Sequence, residues 1–377
     1  MDNCTNSWAE IDLRAIRSNV AGIKKLLSPQ TRLMSVVKAN AYGHGMLEVA
    51  RTCLEEGATY LGVANLREAL TLREEGITAQ ILVLGYVSPE CAGLMVDNRI
   101  DATVFDRDTA LVLSQAAVSL DKEARVHLKI DTGMGRIGFK PDEASLEIIK
   151  EMARMPGIVI QGAFSHLATA DAADKSFAWQ QAEVFQSFVA GLKDAGISIP
   201  LKHLANSAAI MEMPELHFDM VRAGIITYGL YPSDEVDRSI LNLIPAMRLR
   251  SRIIMVKNLP SGGSISYGRT FICPQETKVA TVPVGYGDGY HRLLSNRSWI
   301  SVKGQRAPLI GTVCMDQCMF DVSEIDDVKA GDEVVLFGRP EDGITADDLA
   351  RLMGTINYEI VCAPSSRVSR IYIDNNL

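Results

Sequence analysis

In SVVKANAYGHG, Ser35 to Gly45, a lysine (Lys38) directly follows a β-branched run. Lysine is almost never fully buried unless something pairs or reacts with it. A lysine closing a strand in a Gly-rich turn is therefore either a snorkelling surface residue or a reactive amine. Other apolar runs also close on polar residues. Lys129 and Asp131 precede Arg136 in KIDTGMGRIG, and His166 ends IVIQGAFSH. His203, Asn206 and Ser207 close PLKHLANS, and Arg222 leads into Gly224 and Ile225 in VRAGI. Each has a plainer reading. Lys129 pairs with Asp131 or Asp101, the histidines are satisfied core residues, the arginines form ion pairs, and Asn206 and Ser207 cap a helix. Convergence on one face decides between the two readings, and that depends on the elements carrying these residues.

Strand-like runs at LMSVVKA, YLGVA, QILVLG, DATVF, RVHLKI, IVIQGAFSH, PLKHLAN and FDMVRAGI alternate with helical patterns. Several of those helices end at Gly, including MLEVARTCLEEG and NLREALTLREEG. Such alternation implies a parallel sheet. Eight units favour a closed (β/α)8 TIM-type barrel over an open doubly wound sheet. In that barrel the polar residues above all fall at C-terminal strand ends, where catalytic groups of this fold sit. The loops after strands seven and eight, the usual phosphate position, carry Ser207, Gly224 and Ile225. A hydroxyl plus amides that a glycine lets approach closely can hold a phosphate without formal charge. Phosphate on one rim and a reactive lysine on another suit pyridoxal 5′-phosphate, which needs a Schiff-base lysine and an anchored phosphate.

From about Leu243 the texture changes to short strands between Gly/Pro turns, interrupted by one helix, TADDLARLMG. Residues 1–240 are expected to form the barrel, and residues 241–377 a mainly-β domain. The net charge of −8 leaves no electrostatic footprint for nucleic acid. No apolar run is long enough to span a bilayer, and MDNCTNSWAEIDLRAI lacks a signal-peptide pattern. The seven scattered cysteines suit reduced thiols of a cytoplasmic protein. Cys314 and Cys318 have no second ligand pair nearby, so no metal is expected.

VVKANAYGHG closely resembles the cofactor-lysine motif of alanine racemases. KIDTGMGRIG, FSHLATAD, HLANSAA, VRAGIITYGLYP, SYGRT, VGYGDGY and GTVCMDQ resemble further motifs of that family, in the same order, from about Trp8 to Arg370. The resemblance implies pyridoxal phosphate on Lys38 and interconversion of L- and D-alanine. It also implies a homodimer in which the partner's C-terminal domain completes each site. Tyr42, Ser207, Gly224, Ile225 and Tyr358 match phosphate-contacting positions, and Arg222 matches the residue facing the pyridine nitrogen. Asn206 and His166 are grouped with the cofactor site, and His166 also matches a partner of the catalytic tyrosine. Tyr267 matches the second catalytic base. Arg136 and Met315 match residues around the substrate carboxylate, Lys129 an often carbamylated lysine, and Tyr286 a residue narrowing the access channel. D-Alanine for peptidoglycan is the implied role, with alanine catabolism the alternative. One departure is PSSRVSR, which lacks the aromatic or proline before the arginine and the proline after it. That bears on loop geometry near Tyr358.

Overall fold

A computed structural model describes residues 6–374. The remainder, including Cys4, lies outside the described residues. The chain divides into two compact units, one of residues 16–41 with 46–243, the other of residues up to 15 with 42–45 and 244 onward.

The first unit is the expected barrel. Its strands are β2 (Arg32–Val36), β3 (Tyr60–Val63), β4 (Gln80–Val83), β5 (Asp101–Val104), β6 (Ala124–Lys129), β7 (Ile158–Phe164), β8 (Leu201–His203) and β9 (Met220–Ala223), where β1 is the N-terminal strand Ser7–Asp12. All eight predicted runs are present, and the sheet order is β8-β7-β6-β5-β4-β3-β2-β9 with parallel neighbours throughout. Two backbone hydrogen bonds draw the ends together: Asp219 N to Lys202 O at 3.1 Å and Arg222 N to Ala205 O at 3.0 Å. The strands are short and almost wholly buried, because helices cover a parallel sheet outside and its own side chains fill it inside. Met34, Tyr60, Leu82, Phe164, Leu201 and Met220 pack together as an inner core. The predicted helices form as Met46–Glu55, Leu66–Glu74, Arg107–Leu120, Glu143–Met152 and Ser176–Asp194.

The second unit differs from the sequence reading in three places. β1 pairs antiparallel with β10 (Met247–Arg252) and parallel with the last strand, Ser369–Ile373, so it lies in the β-rich unit rather than with the barrel. Its sequence SWAEID fixes an alternating strand but not its partner, which is more than two hundred residues away. The run RLRSRIIMVKNL splits into β10 and β11 (Met255–Leu259), which enter different sheets. The split falls where Ile253 N donates to Asp332 O and Ile254 N to Thr281 O. Finally, Asn357–Cys362 is a second helix, too short to show a helical period.

Candidate active site

The chain after β2 does not continue as an ordinary turn. Ala39, Asn40 and Ala41 have φ of +52°, +54° and +53°, and Tyr42 has +50°. Four successive non-glycine residues in left-handed conformation cost roughly 1–2 kcal/mol each. Glu68 offsets part of this cost. Its Oε1 accepts from Ala39 N and its Oε2 from Ala64 N, both at 2.7 Å. Asn40 Oδ1 accepts from Met46 N at 2.9 Å. The turn thus fixes the backbone direction at Lys38 through groups that sequence reading passed over. No glycine marks it before Gly43.

Around the barrel rim the other candidates gather with Lys38. Arg222 is buried, and no carboxylate pairs with it among the described residues. Its NH1 donates to His203 O at 2.8 Å and to His203 Nδ1 at 3.1 Å. Its NH2 reaches Ser165 O at 2.7 Å, Leu204 O at 3.1 Å and His166 Nδ1 at 3.3 Å. The four terminal N–H groups are therefore spent, and among the described residues Nε–H is the donor left over. Burial lowers the Arg222 guanidinium to about 9. Phe164 forms a platform. Its ring stacks on His203 at 4.7 Å, with Lys129 Nζ 5.2 Å and the Arg222 guanidinium carbon 5.4 Å from its centroid.

Lys129 is buried, and its Nζ donates to Ile130 O at 3.1 Å. Burial, reinforced by the charges of Arg222 and Arg136, lowers its amine to about 7. Asp131 opposes this only partly, and its Oδ1 accepts from Gly133 N and Gly135 N at 3.0 and 3.1 Å. Asp101, the alternative partner, is engaged with Tyr60 and Arg125 instead. His166 is lowered to about 3 by burial first and then by Arg222, Arg136, Lys129 and Lys38, which shows how closely these cations bear on it. It is neutral at ordinary pH. Because Arg222 can only donate, His166 Nδ1 accepts and Nε2 carries the proton. Arg136 has no carboxylate partner among the described residues.

Ser207 opens the helix Ser207–Glu212, and Asn206 caps it, with Oδ1 accepting from Ala209 N at 3.1 Å. Asn206 thus has the capping role that its residue type suggests. Ser207 Oγ accepts from Gly224 N at 3.0 Å, and Ile225 begins a 3-10 turn whose first amides have no carbonyl within it. A hydroxyl and the first amides of that turn converge here, donors of a kind that suits an anion.

The β-rich unit carries the remaining candidates. Tyr42 and Tyr358 approach with ring centroids 6.1 Å apart, and burial raises the Tyr42 phenol. In the divergent PSSRVSR segment, Ser365 Oγ donates to Gly287 O at 3.0 Å. Arg370 donates to Gly43 O at 2.9 Å and to Ser365 O and Val368 O, both at 2.6 Å. The loop near Tyr358 is therefore braced without the prolines. Tyr267, Met315 and Tyr286 are 68%, 51% and 44% exposed. They belong to one loop cluster: Thr312 Oγ1 donates to Tyr267 O at 3.0 Å, and Tyr286 N to Cys314 O at 3.1 Å.

The fold and these groups define a class: (β/α)8-barrel enzymes that hold a phosphate-bearing cofactor at the C-terminal rim of the strands. Residues 11–232 match the family described as alanine racemase, N-terminal domain, and residues 246–372 the one described as alanine racemase, C-terminal domain. An alanine racemase of Clostridium perfringens is 49% identical over 379 residues, spanning 100% of this chain and 98% of the relative. One from Desulforamulus reducens is 50% identical over 366 residues, spanning 97% and 98%. The solved alanine racemase of Clostridium difficile 630 matches with a TM-score of 0.95 at 44% identity, covering 99% of this chain and 97% of that one. That of Bacillus anthracis with bound L-Ala-P gives 0.94 at 37% identity, covering 100% and 97%. The chain belongs to the alanine racemase family.

Proposed function

We propose that this protein interconverts L- and D-alanine with pyridoxal phosphate, using Lys38 and Tyr267 as acid–base groups on opposite faces of the substrate. The observation carrying this reading is the leftover Nε–H of Arg222. A buried guanidinium with every other donor spent suits a ring nitrogen that accepts and stays unprotonated. The cradle of Ser207, Gly224 and Ile225 suits the phosphate, with Tyr42 and Tyr358 as further contacts. Bound there, pyridoxal phosphate supplies a carbonyl for the substrate amine and a ring that takes up the electron pair left by the α proton.

The remaining roles fall to the protein's own side chains. Lys38 Nζ holds the cofactor and, once exchanged for substrate, accepts or returns the α proton on its face. Tyr267 does the same at Oη on the other. An ordinary tyrosine titrates near 10, so a useful base needs lowering by roughly 2–3 units, about 3–4 kcal/mol of phenolate stabilisation. A donated hydrogen bond, for which neutral His166 has its Nε2–H, and the charge of Arg136 would suit that lowering. Arg136 also suits the substrate carboxylate, beside Met315, and Tyr286 narrows the approach. The exposure of Tyr267, Met315 and Tyr286 supports a homodimer in which each barrel rim is completed by the β-rich unit of a second copy. D-Alanine for peptidoglycan, made in the cytoplasm, is the role we assign. Loaded with cofactor, the protein is expected to bring either pure enantiomer to an equal mixture; optical rotation that never decays contradicts the activity.

By donating Nε–H, Arg222 would leave the ring nitrogen unprotonated and so a weaker electron sink. Arg222→Glu offers a carboxyl that shares a proton with that nitrogen. The variant is expected to racemise more slowly and to convert more cofactor to its amine form per turnover. An unchanged ratio, read by absorbance against alanine chirality, contradicts the role given to Arg222.

Lys129 has an amine at about 7 among cations. We assign it carbamylation: Nζ bonds the carbon of CO2 and one proton leaves, giving an anion between Arg136 and Arg222. Below pH 7 the protonated amine has no lone pair to react. With ¹³C-bicarbonate, a carbamate resonance is expected to rise through about pH 7 and to be missing from Lys129→Ala. A signal appearing only near pH 10 contradicts the assignment.

A further inference from the structure

The hydrogen-bonded chain at Arg222 continues past His203 to His127, whose other ring nitrogen faces Asp101 towards the opposite end of the barrel. His203 Nε2 and His127 Nδ1 are 2.9 Å apart, and both rings are fully buried. His127 Nε2 lies 3.4 Å from Asp101 Oδ2, a contact in which no hydrogen bond is formed. Asp101 begins β5, at the N-terminal face, and also accepts from Tyr60 OH at 3.0 Å and pairs with Arg125 Nε at 3.2 Å. Gly162 makes room for this path, because a Cβ there would sit 2.6 Å from His127 Nδ1.

Only one arrangement of protons satisfies both hydrogen bonds, Arg222 to His203 and His203 to His127. Arg222 NH1 can only donate, so His203 Nδ1 accepts and its proton sits on Nε2. That Nε2–H donates to His127 Nδ1, which must therefore be bare. The His127 proton is then on Nε2, facing the Asp101 carboxylate. Moving either imidazole to the other tautomer, or adding a proton, sets two donors against each other in the dry interior, where a mismatched polar pair is costly.

We propose that Asp101 and His127 are positioning residues for Arg222: across the barrel they hold His203 in the tautomer whose Nδ1 accepts from the arginine, and so fix the direction of its leftover Nε–H. Asp101 touches neither substrate nor cofactor and acts only through the two imidazoles, as an outer carboxylate orients a histidine ligand. The inference deepens the racemase reading and rests on it for the role of Arg222. Its central test is separate from activity.

That test is ¹⁵N-histidine labelling of the cofactor-loaded protein, with long-range ¹H–¹⁵N spectra assigned through His127 and His203 variants. Both residues are expected to be neutral Nε2–H tautomers. Nδ1–H on His203 overturns the proposal, whether or not the protein racemises alanine. A variant pair then tests the function of the relay. His127→Leu removes the acceptor, whereas His127→Asn puts a carbonyl oxygen near the Nδ1 position. His127→Leu is expected to mix the His203 tautomers and lower kcat on the order of 10–100-fold with little change in KM, and His127→Asn to restore both. A folded His127→Leu protein with the His203 tautomer and kcat unchanged overturns the proposal. If His127→Leu does not fold, the wild-type tautomers still decide the matter.

Discussion

Lys38→Ala is expected to lower racemisation by more than about 10⁴-fold, the upper end of what one positioned acid–base group contributes. The loss is that large because one amine has two tasks, holding the cofactor and moving the α proton on its face. Two measurements separate these tasks. Borohydride treatment followed by mass analysis is expected to fix cofactor to the wild-type chain but not to the variant. An added small amine restores exchange of substrate onto the cofactor but not the positioned proton transfer, so rescue is expected to be slight. A variant retaining even a few per cent of wild-type kcat contradicts the assignment. The fold is expected to survive the change, because Lys38 is only half-buried and the turn after it is held by Glu68 and Asn40.

Tyr267→Phe has the second largest expected effect, a fall in kcat of about 10²–10⁴-fold. It removes only the phenolic oxygen from an exposed loop side chain, so folding and cofactor content are expected to stay at wild-type levels. The signature is its asymmetry. The enantiomer whose α proton faces Lys38 still exchanges that proton with solvent, while its mirror image exchanges slowly and racemisation falls in both directions. Equal loss of exchange from both enantiomers contradicts a face-specific role for Tyr267.

The barrel was legible because its strands are short β-branched or apolar runs, mostly buried, between helices of which several end at glycine. Gly57 and Gly76, read as helix stops, do have positive φ. The pairing of β1 was not legible, because strand registry depends on partners far along the chain. The same holds for the split of RLRSRIIMVKNL, where one continuous apolar pattern serves two sheets. Within the site, the residues at strand ends stood out because polar groups there interrupt apolar runs. The left-handed turn did not, since in Ala-Asn-Ala-Tyr only the asparagine favours positive φ, and the turn is held there by Glu68 from another segment. His127 in RVHLKI and Asp101 at the head of DATVF carried a usable signal: each is a polar residue in an otherwise buried strand, and each needs a buried partner. Taken alone, each reads as an ordinary core residue. Only their mutual geometry joins them to Arg222.

The central claim is that two different groups handle the proton on the two faces of the substrate. A first-turnover experiment in D2O, starting from L-alanine that bears ordinary hydrogen at its α carbon, tests it most directly. With Lys38 and Tyr267 as separate acid and base, the returned proton is not the one removed, so the earliest D-alanine formed is expected to carry α-deuterium throughout. A single base that swings across the substrate would carry the original proton with it. Early D-alanine retaining a substantial share of substrate hydrogen contradicts the two-base account.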